Sequence, residues 1–575
     1  MSFDQKNLHL SSIKYKSSSI LVMATMLTVA FGNVYALDEF PPNTTHLQVD
    51  LGGEDLTRIS AALEQAHAIQ GPVAIHIAAG TYREGNLRIL RREHPLWLLG
   101  DSSGQTVISG SDIWTDWESR GDELVAPWPY DWGNFVFDHP HWLPSDRKNL
   151  RSAGARSEMV FVNGQRLRQV AYAKDMIAGA FRIDLDRKEI IVRLPDGVDA
   201  NEALIEVGMR PNLMTMLQPK DVIMRHLTFQ HCTSHIKRAG GGQFDQWGIS
   251  IFGEHLSSNL TNAEAKPDRL FAENVTIEYC NFLNNNKAGL SFANAKNLTI
   301  RHCRFDSNGQ TGIGANRCRN VLIEDSTFND NAWRLGDLGN AYASLPAGSK
   351  MLFMYELTFR RCEFKRNFSA GLWFDTSVNY VVVDECVIED NWGEGFYYEH
   401  CQGPALIKNS VIARNGFTDG ERQMSNAAGG VLFSESEHLT IDNCDIYDNS
   451  YIQIGVRARN RPGVCYWTGR TNDGSCRHLT LINSRIRGSS VEGDNVMHSS
   501  PAHRLSTLVG RQVHSDEKLY MRDFLRTYTA SDNSYFNPKS KSVFAIGPNF
   551  GHKRVALVEW QALTGQDQGS QWLEH

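Results

Sequence analysis

The sequence predicts an all-β fold: a solenoid of strands stacked coil upon coil, interrupted near its N-terminal end by a small antiparallel β module. The first observation is an imperfect repeat of roughly 24 residues in which Asn recurs five positions after a Cys or Ser. The Cys/Ser positions are Cys280, Cys303, Ser326, Cys362, Cys386, Ser410 and Cys444, and the matching asparagines are Asn285, Asn308, Asn331, Asn367, Asn391, Asn415 and Asn449. The second is the short alternating apolar run ahead of each Cys/Ser, as in Leu298-Thr299-Ile300 and Leu439-Thr440-Ile441, which has the period of a strand. The third is a stretch, from about Trp114 to Leu204, where the repeat register is lost and two antiparallel-strand patterns appear instead.

Small Cys and Ser side chains at one inward position suit the crowded interior of a coil. Asn tolerates the left-handed backbone region, so an Asn at a fixed offset reads as a stacked turn. Parallel strands stacked in this way resemble the right-handed parallel β-helix of the pectate-lyase-like superfamily. Repeats of this kind grow by adding coils, so 575 residues need not mean several globular domains.

Taken from the N-terminus, Lys14 and Lys16 precede an apolar run from Ile20 to about Phe31, followed by Val34-Tyr35-Ala36. Residues 1–36 read as a secretory signal peptide, which implies a secreted or periplasmic protein with no membrane span after cleavage. Residues 37–112 read as a cap and the first coils: Asp55 to Gln65 has Leu56, Ile59 and Leu63 at helical spacing, and strands follow at Val73–Ile77, Leu96–Leu98 and Val107–Ser109. Residues 113–205 form the inserted module, with Met159–Val162 and Glu189–Leu194 as strands and Asn163-Gly164 as a hairpin turn. The main solenoid spans 206–490, with polar insertions at 236–247 and 253–270. Residues 491–575 read as an irregular last coil and a short capping helix beginning near Ala556.

The net charge of -7 leaves no basic footprint, which argues against nucleic acid as a partner. Ten cysteines in an exported chain invite disulfides, but five of them share the inward column and read as packing residues. Cys465 and Cys476 fall outside the register and are the expected disulfide, while Cys318 and Cys401 are unassigned. No paired Cys-x-x-Cys occurs, and no metal site is expected.

Each unit carries a second strand opening with Gly: Gly289–Ala293, Gly312–Asn316, Gly371–Asp375, Gly395–Glu399 and Gly430–Ser434, with Gln453–Arg457 less regular. Alternation sends the first and third residues after Gly inward and the second and fourth outward. One outward column then reads Asn316, Asp375, Glu399, Ser434, Arg457, with one poorly aligned coil after Asn316. The other reads Gly314, Trp373, Tyr397, Leu432, Gly455. A polar row beside an aromatic row is what a saccharide cleft requires, so Trp373 and Tyr397 are expected as platforms and Asn316, His400, Ser434 and Arg457 as further contacts. His400 also reads as a turn residue, and Asn316 and Ser434 as ordinary solvent-facing polar residues.

Two carboxylates at the same position of adjacent coils, one strand spacing of ~4.8 Å apart, are an unfavourable like-charge pair. Such a pair persists where function needs it, and insertions running from Trp333 to Ser349 and past Asn415, the latter with Glu421 and Arg422, would wall a cleft around it. A separation of about 5 to 5.5 Å suits a retaining glycosidase, and like-charge proximity makes one partner a proton donor beside an ionised nucleophile.

Gly371-Leu372-Trp373-Phe374-Asp375, followed by Glu399 and then Gly403-Pro404, resembles the catalytic region of β-helix glycoside hydrolases of the family 120 β-xylosidase type. The inserted module with Phe161-Val162-Asn163-Gly164 is similar to that group as well. The resemblance implies Asp375 as nucleophile, Glu399 as acid/base, a polysaccharide or oligosaccharide substrate and no cofactor. Two other readings stand beside it. In a polysaccharide lyase acting on uronates, Asp375 and Glu399 would hold Ca²⁺ and Arg457, Arg459 or Arg317 would take a proton. A non-catalytic glycan-binding surface protein would carry the same columns.

Overall fold

Each coil of the protein, in a computed structural model, turns at residues held in the left-handed region, most of them not glycine. Two consecutive coils turn at Arg361, Arg366 and Thr376 and then at Glu385, Asp390 and His400, all with φ between 50° and 59°. The structure describes residues 40–53, 56–130, 156–234, 248–254, 271–334, 347–416, 429–450, 452–458, 461–488, 495–499, 523–538, 540–546 and 554–574. The leader, Asp55, Glu421, Arg422, Arg459 and most of the predicted insertions at 236–247, 253–270, 333–349 and past Asn415 lie outside the described residues. Residues 45–575 form one compact unit.

Among the described residues, two sheets of 13 strands run the length of the solenoid. One holds strands such as Ala295–Arg301, Arg319–Glu324 and Tyr355–Arg360, and the other holds Ala288–Ala293, Thr311–Asn316, Ala347–Leu352, Ala370–Asp375, Phe396–Glu399, Val431–Ser434 and Ile452–Arg457. A third face is built from short strands in two sheets, linked by single bridges from Asn281 through Arg304 and Thr327 to Glu363. Pairing between successive coils is parallel, as in Ala370–Asp375 on Phe396–Glu399. The coil interior is one continuous core in which Phe229, Phe282, Phe305, Phe328 and Phe364 stack face to face.

The recurrent asparagines have a different role from the one their conformational preference suggests. In each unit the left-handed residue is the one before, namely Asn284, Ser307, Asp330, Arg366, Asp390, Arg414 and Asp448. The laddered asparagines are fully buried and link coil to coil by side chain. Asn391 Nδ2 donates to Phe364 O at 2.9 Å and to Asn415 Oδ1 at 2.8 Å, while its own Oδ1 accepts from Asn367 Nδ2 at 2.7 Å. A primary amide is chosen because it both donates and accepts, so one residue type can repeat without leaving a buried group unpaired.

At the N-terminal end a helix covers Ile59–Ala68, starting later than the apolar spacing suggested. Its first turn is capped from another part of the chain: the Glu84 carboxylate accepts from Ile59 N at 2.7 Å and Ser60 N at 3.1 Å, contacts no local pattern encodes. At the other end a helix covers Leu557–Thr564. The antiparallel strands of the inserted module run from Ser111–Ile113 to Ile205–Gly208 in sheets of four and five strands, with their own core around Trp128, Phe181 and Ile190. Its hairpin pairs Val162 with Gln165 across Asn163 and Gly164, both with positive φ as a two-residue turn demands.

All ten cysteines are buried and none is in a disulfide, so Cys465 and Cys476 are not joined. Each is bonded separately: Cys465 Sγ accepts from Asn379 Nδ2 at 3.3 Å, and Cys476 Sγ lies 3.3 Å from Arg457 O. Spacing in sequence overstated their proximity because the loop between them runs out over neighbouring coils and back.

Candidate active site

Strand register alone assembles the outer face of the second long sheet. Asn316, Leu352, Asp375, Glu399, Ser434 and Arg457 are successive partners along one column. Gly314, Lys350, Trp373, Tyr397, Leu432 and Gly455 form the next. The coil that aligned poorly in sequence is Ala347–Leu352, and it contributes Lys350, which sequence reasoning missed. Gly348 stands where Gly371 and Gly395 open their strands, and this was the available signal.

Asp375 and Glu399 occupy contrasting surroundings. Asp375 Oδ2 is 3.0 Å from Lys350 Nζ, a pair with only 5% and 14% of its side-chain surfaces exposed, and Oδ1 accepts from Thr376 Oγ1 at 2.8 Å. Glu399 Oε1 accepts from Arg461 Nη1 at 2.8 Å and lies 3.9 Å from Arg457 Nη2. Burial, and next the charge of Asp375, raise the proton affinity of Glu399 above that of an ordinary glutamate. Arg461 comes from the loop after the Arg457 strand and could not be found from the repeat.

Trp373 and Tyr397 leave the coil interior as expected but do not present their faces. The rings stack on each other at 5.0 Å and 18°, Lys350 Nζ sits 3.4 Å from the centre of Trp373, and each residue is only 6% exposed. Because the strands stack along the solenoid axis, equivalent side chains meet face to face and only their edges point outward. The expectation of two sugar platforms is corrected accordingly. The Trp373 indole N–H is itself buried and has no hydrogen-bond partner.

Ser434 and Arg457 are likewise internal to the site. Ser434 is fully buried; it accepts from Arg457 Nε at 2.8 Å and donates to Glu435 Oε1 at 2.9 Å. Arg457 is 4% exposed and also donates to the Tyr397 hydroxyl. They support the pair from below, where alternation alone would make them solvent-facing. His400 occupies a left-handed corner at φ 55° and is buried; burial, then Arg461, lowers its proton affinity, and the Gly463 backbone lies against its ring. Asn316 is half-buried and accepts from Arg317 Nη1 at 3.3 Å. Glu394 is buried too, 8% exposed.

The loop after Arg457 walls the site on one side. Tyr466 N donates to Ser377 Oγ at 2.9 Å, the Tyr466 ring meets Phe353 at 5.5 Å, and the Arg317 guanidinium lies near both rings. Both Asp375 oxygens and one of Glu399 are already engaged, and three cationic side chains surround them, while no group of three or more acidic, His or Cys side chains suited to a metal occurs among the described residues.

Residues 270–422 match the family described as right handed beta helix region. A solved structure of XylC in complex with xylose resembles this chain with a TM-score of 0.61 at 13% identity, over 88% of this chain and 86% of that one. The Azotobacter vinelandii mannuronan C-5 epimerase AlgE4 A-module aligns at 0.46 and 14% identity, over 85% and 94%. A structure described as a glycoside hydrolase aligns at 0.45 and 10%, over 92% and 96%. No curated protein sequence matches. The fold is therefore a right-handed parallel β-helix. Among the described residues no helix is long and apolar enough to cross a membrane.

Proposed function

We propose that this right-handed parallel β-helix protein is a carbohydrate-active enzyme, a retaining glycoside hydrolase with Asp375 as nucleophile and Glu399 as acid/base. The observation that carries the reading is the contrast within one registered carboxylate pair. One member lies against an ammonium group and a hydroxyl, while the other is buried and held toward its protonated form. A carboxyl held toward its protonated form beside a carboxylate paired with a cation is the arrangement an acid and a nucleophile require. Adjacent strands give about the 5 to 5.5 Å separation of the retaining class.

In the first step an Asp375 oxygen bonds to the anomeric carbon as the glycosidic C–O bond breaks, and Glu399 gives its proton to the departing oxygen. In the second, Glu399 takes a proton from water, the water oxygen bonds to the anomeric carbon, and the Asp375 ester is released. Lys350 holds Asp375 in place and balances its charge; Arg461 stabilises Glu399 when it is ionised. The motif resemblance to family 120 β-xylosidases, and the likeness in fold to XylC bound to xylose, make β-xylosides the first substrates to try. Residues 1–36 place the activity outside the cytoplasm in this reading.

The deciding experiment pairs product analysis with leaving-group dependence. Xylo-oligosaccharides and uronate polymers should yield reducing sugar with no ultraviolet-absorbing 4,5-unsaturated product. Glu399→Gln should keep most of its kcat/KM, which reports the first step, on a 2,4-dinitrophenyl glycoside while losing it on unactivated substrates, its kcat falling because the second step lacks a base, and Asp375→Asn should lose both. Equal rescue of the two variants would overturn the roles, and an unsaturated product would overturn the class.

A further inference from the structure

A third carboxylate completes the cationic surroundings of Glu399 and has no part in the two steps above. Glu435 stands one position beyond Ser434, as His400 stands beyond Glu399, and its residue is fully buried in a left-handed corner at φ 47°. Its Oε1 accepts from Ser434 Oγ at 2.9 Å and lies 3.8 Å from Arg457 Nε, and its Oε2 is 3.4 Å from Arg461 Nη1. The same two arginines serve Glu399, Arg461 at 2.8 Å and Arg457 at 3.9 Å. Two carboxylates thus share two cations across adjacent coils.

A buried acid/base has opposed needs. It must carry a proton into the first step, yet be stabilised when that proton leaves. Two arginines committed to Glu399 alone would favour its ionised form throughout, whereas arginines divided with a neighbouring carboxyl favour it less strongly.

Resting on the reading of Glu399 as acid/base, we propose that Glu435 is its positioning residue: Glu435 divides Arg457 and Arg461 with Glu399, so that Glu399 holds its proton into the first step while the Arg461 already at its Oε1 receives the charge left when the proton departs. Among the described residues, the other charged or titratable groups facing Glu399 are Asp375, with Lys350 behind it, His400 beside it, and Tyr397 and Glu394, which act on Arg457. None of these bridges both arginines as Glu435 does.

The test is the pH profile of kcat/KM on phenyl β-xyloside, whose poor leaving group keeps proton donation in the rate. Glu435→Gln should move the alkaline limb toward acid by about half to one pH unit, and Arg461→Gln should move it the opposite way. With a 2,4-dinitrophenyl substrate, Glu399→Gln should lack the limb altogether. A uniform fall in Glu435→Gln with the limb unmoved makes Glu435 merely structural and overturns the proposal. If that variant does not fold, Arg461→Gln decides, because its side chain is 43% exposed; an unmoved limb there overturns the proposal too. A limb that persists in Glu399→Gln overturns the acid assignment itself, and the proposal with it, and is told apart from the other failures by that variant alone.

Discussion

Lys350 reaches diagonally from one strand to Asp375 on the next, with Nζ 3.0 Å from Oδ2, and in the same position covers the face of Trp373. The ammonium is the nearest cation to the proposed nucleophile. Lys350→Met keeps the shape and removes the charge, so a charge-assisted hydrogen bond of about 1.5–3 kcal/mol is lost. The expected outcome is a fall in kcat/KM of about tenfold to a hundredfold, mostly in kcat, measured by steady-state kinetics. Activity within twofold of wild type would show that Asp375 does not depend on this partner.

The raised proton affinity of Glu399 makes the site costly to stability at neutral pH. Burial and the Asp375 charge hold the proton on the folded chain to higher pH than on the unfolded one. From the ordinary glutamate value of ~4.3 up to the raised one, the folded state binds more protons, so stability falls as pH rises. Glu399→Gln, which resembles the protonated form, should match wild type in Tm near pH 4 and exceed it increasingly toward pH 7. Thermal scans across that range check this, and an advantage that shrinks as pH rises contradicts it.

The asparagine ladder is predicted to be a main support of the solenoid. Asn391→Ala removes both the acceptor for the Asn367 backbone N–H at 3.0 Å and the donor to Phe364 O at 2.9 Å, all inside the core. Unpaired buried groups of this kind should cost about 2–5 kcal/mol, read from denaturant unfolding. The exposed ladder, where Asn297 Nδ2 donates to Asn274 Oδ1 at 2.9 Å, provides the contrast: Asn297→Gly should cost less than about 1 kcal/mol.

The cysteines should remain thiols even in an oxidising compartment. All ten are buried and outside any disulfide, and burial pushes several well up, Cys476 to about 12. Thiol titration of the unreduced protein should give ten equivalents once it is unfolded and almost none while it is folded. A native count near zero with only eight after unfolding would restore the Cys465–Cys476 bridge.

Much of the site is legible in the chain because a solenoid coil touches chiefly its neighbours. The offset between Asp375 and Glu399 equals one coil, so strand partnership follows from the repeat without three-dimensional information. The same offset aligned Trp373 with Tyr397 and placed His400 at a corner. Lys350 escaped because the longer unit before it hides the register, although its Gly348 was visible.

The residues that the repeat could not supply are those brought by segments with no fixed offset. Arg461 reaches Glu399 from a loop beyond the Arg457 strand, and Glu84 caps a helix at Ile59 from a later connection between strands. Exposure is of the same kind. Alternation tells which way Trp373, Ser434 and Arg457 point, but all three are buried on the outer face. Direction along a strand is a local, two-residue property of the backbone, and so the chain alone establishes the coil, its columns and the carboxylate pair. Burial and charge partnership depend on which distant groups come to lie over a position, and only the folded molecule decides that Asp375 has a lysine, Glu399 two shared arginines, and the aromatic rings no free face.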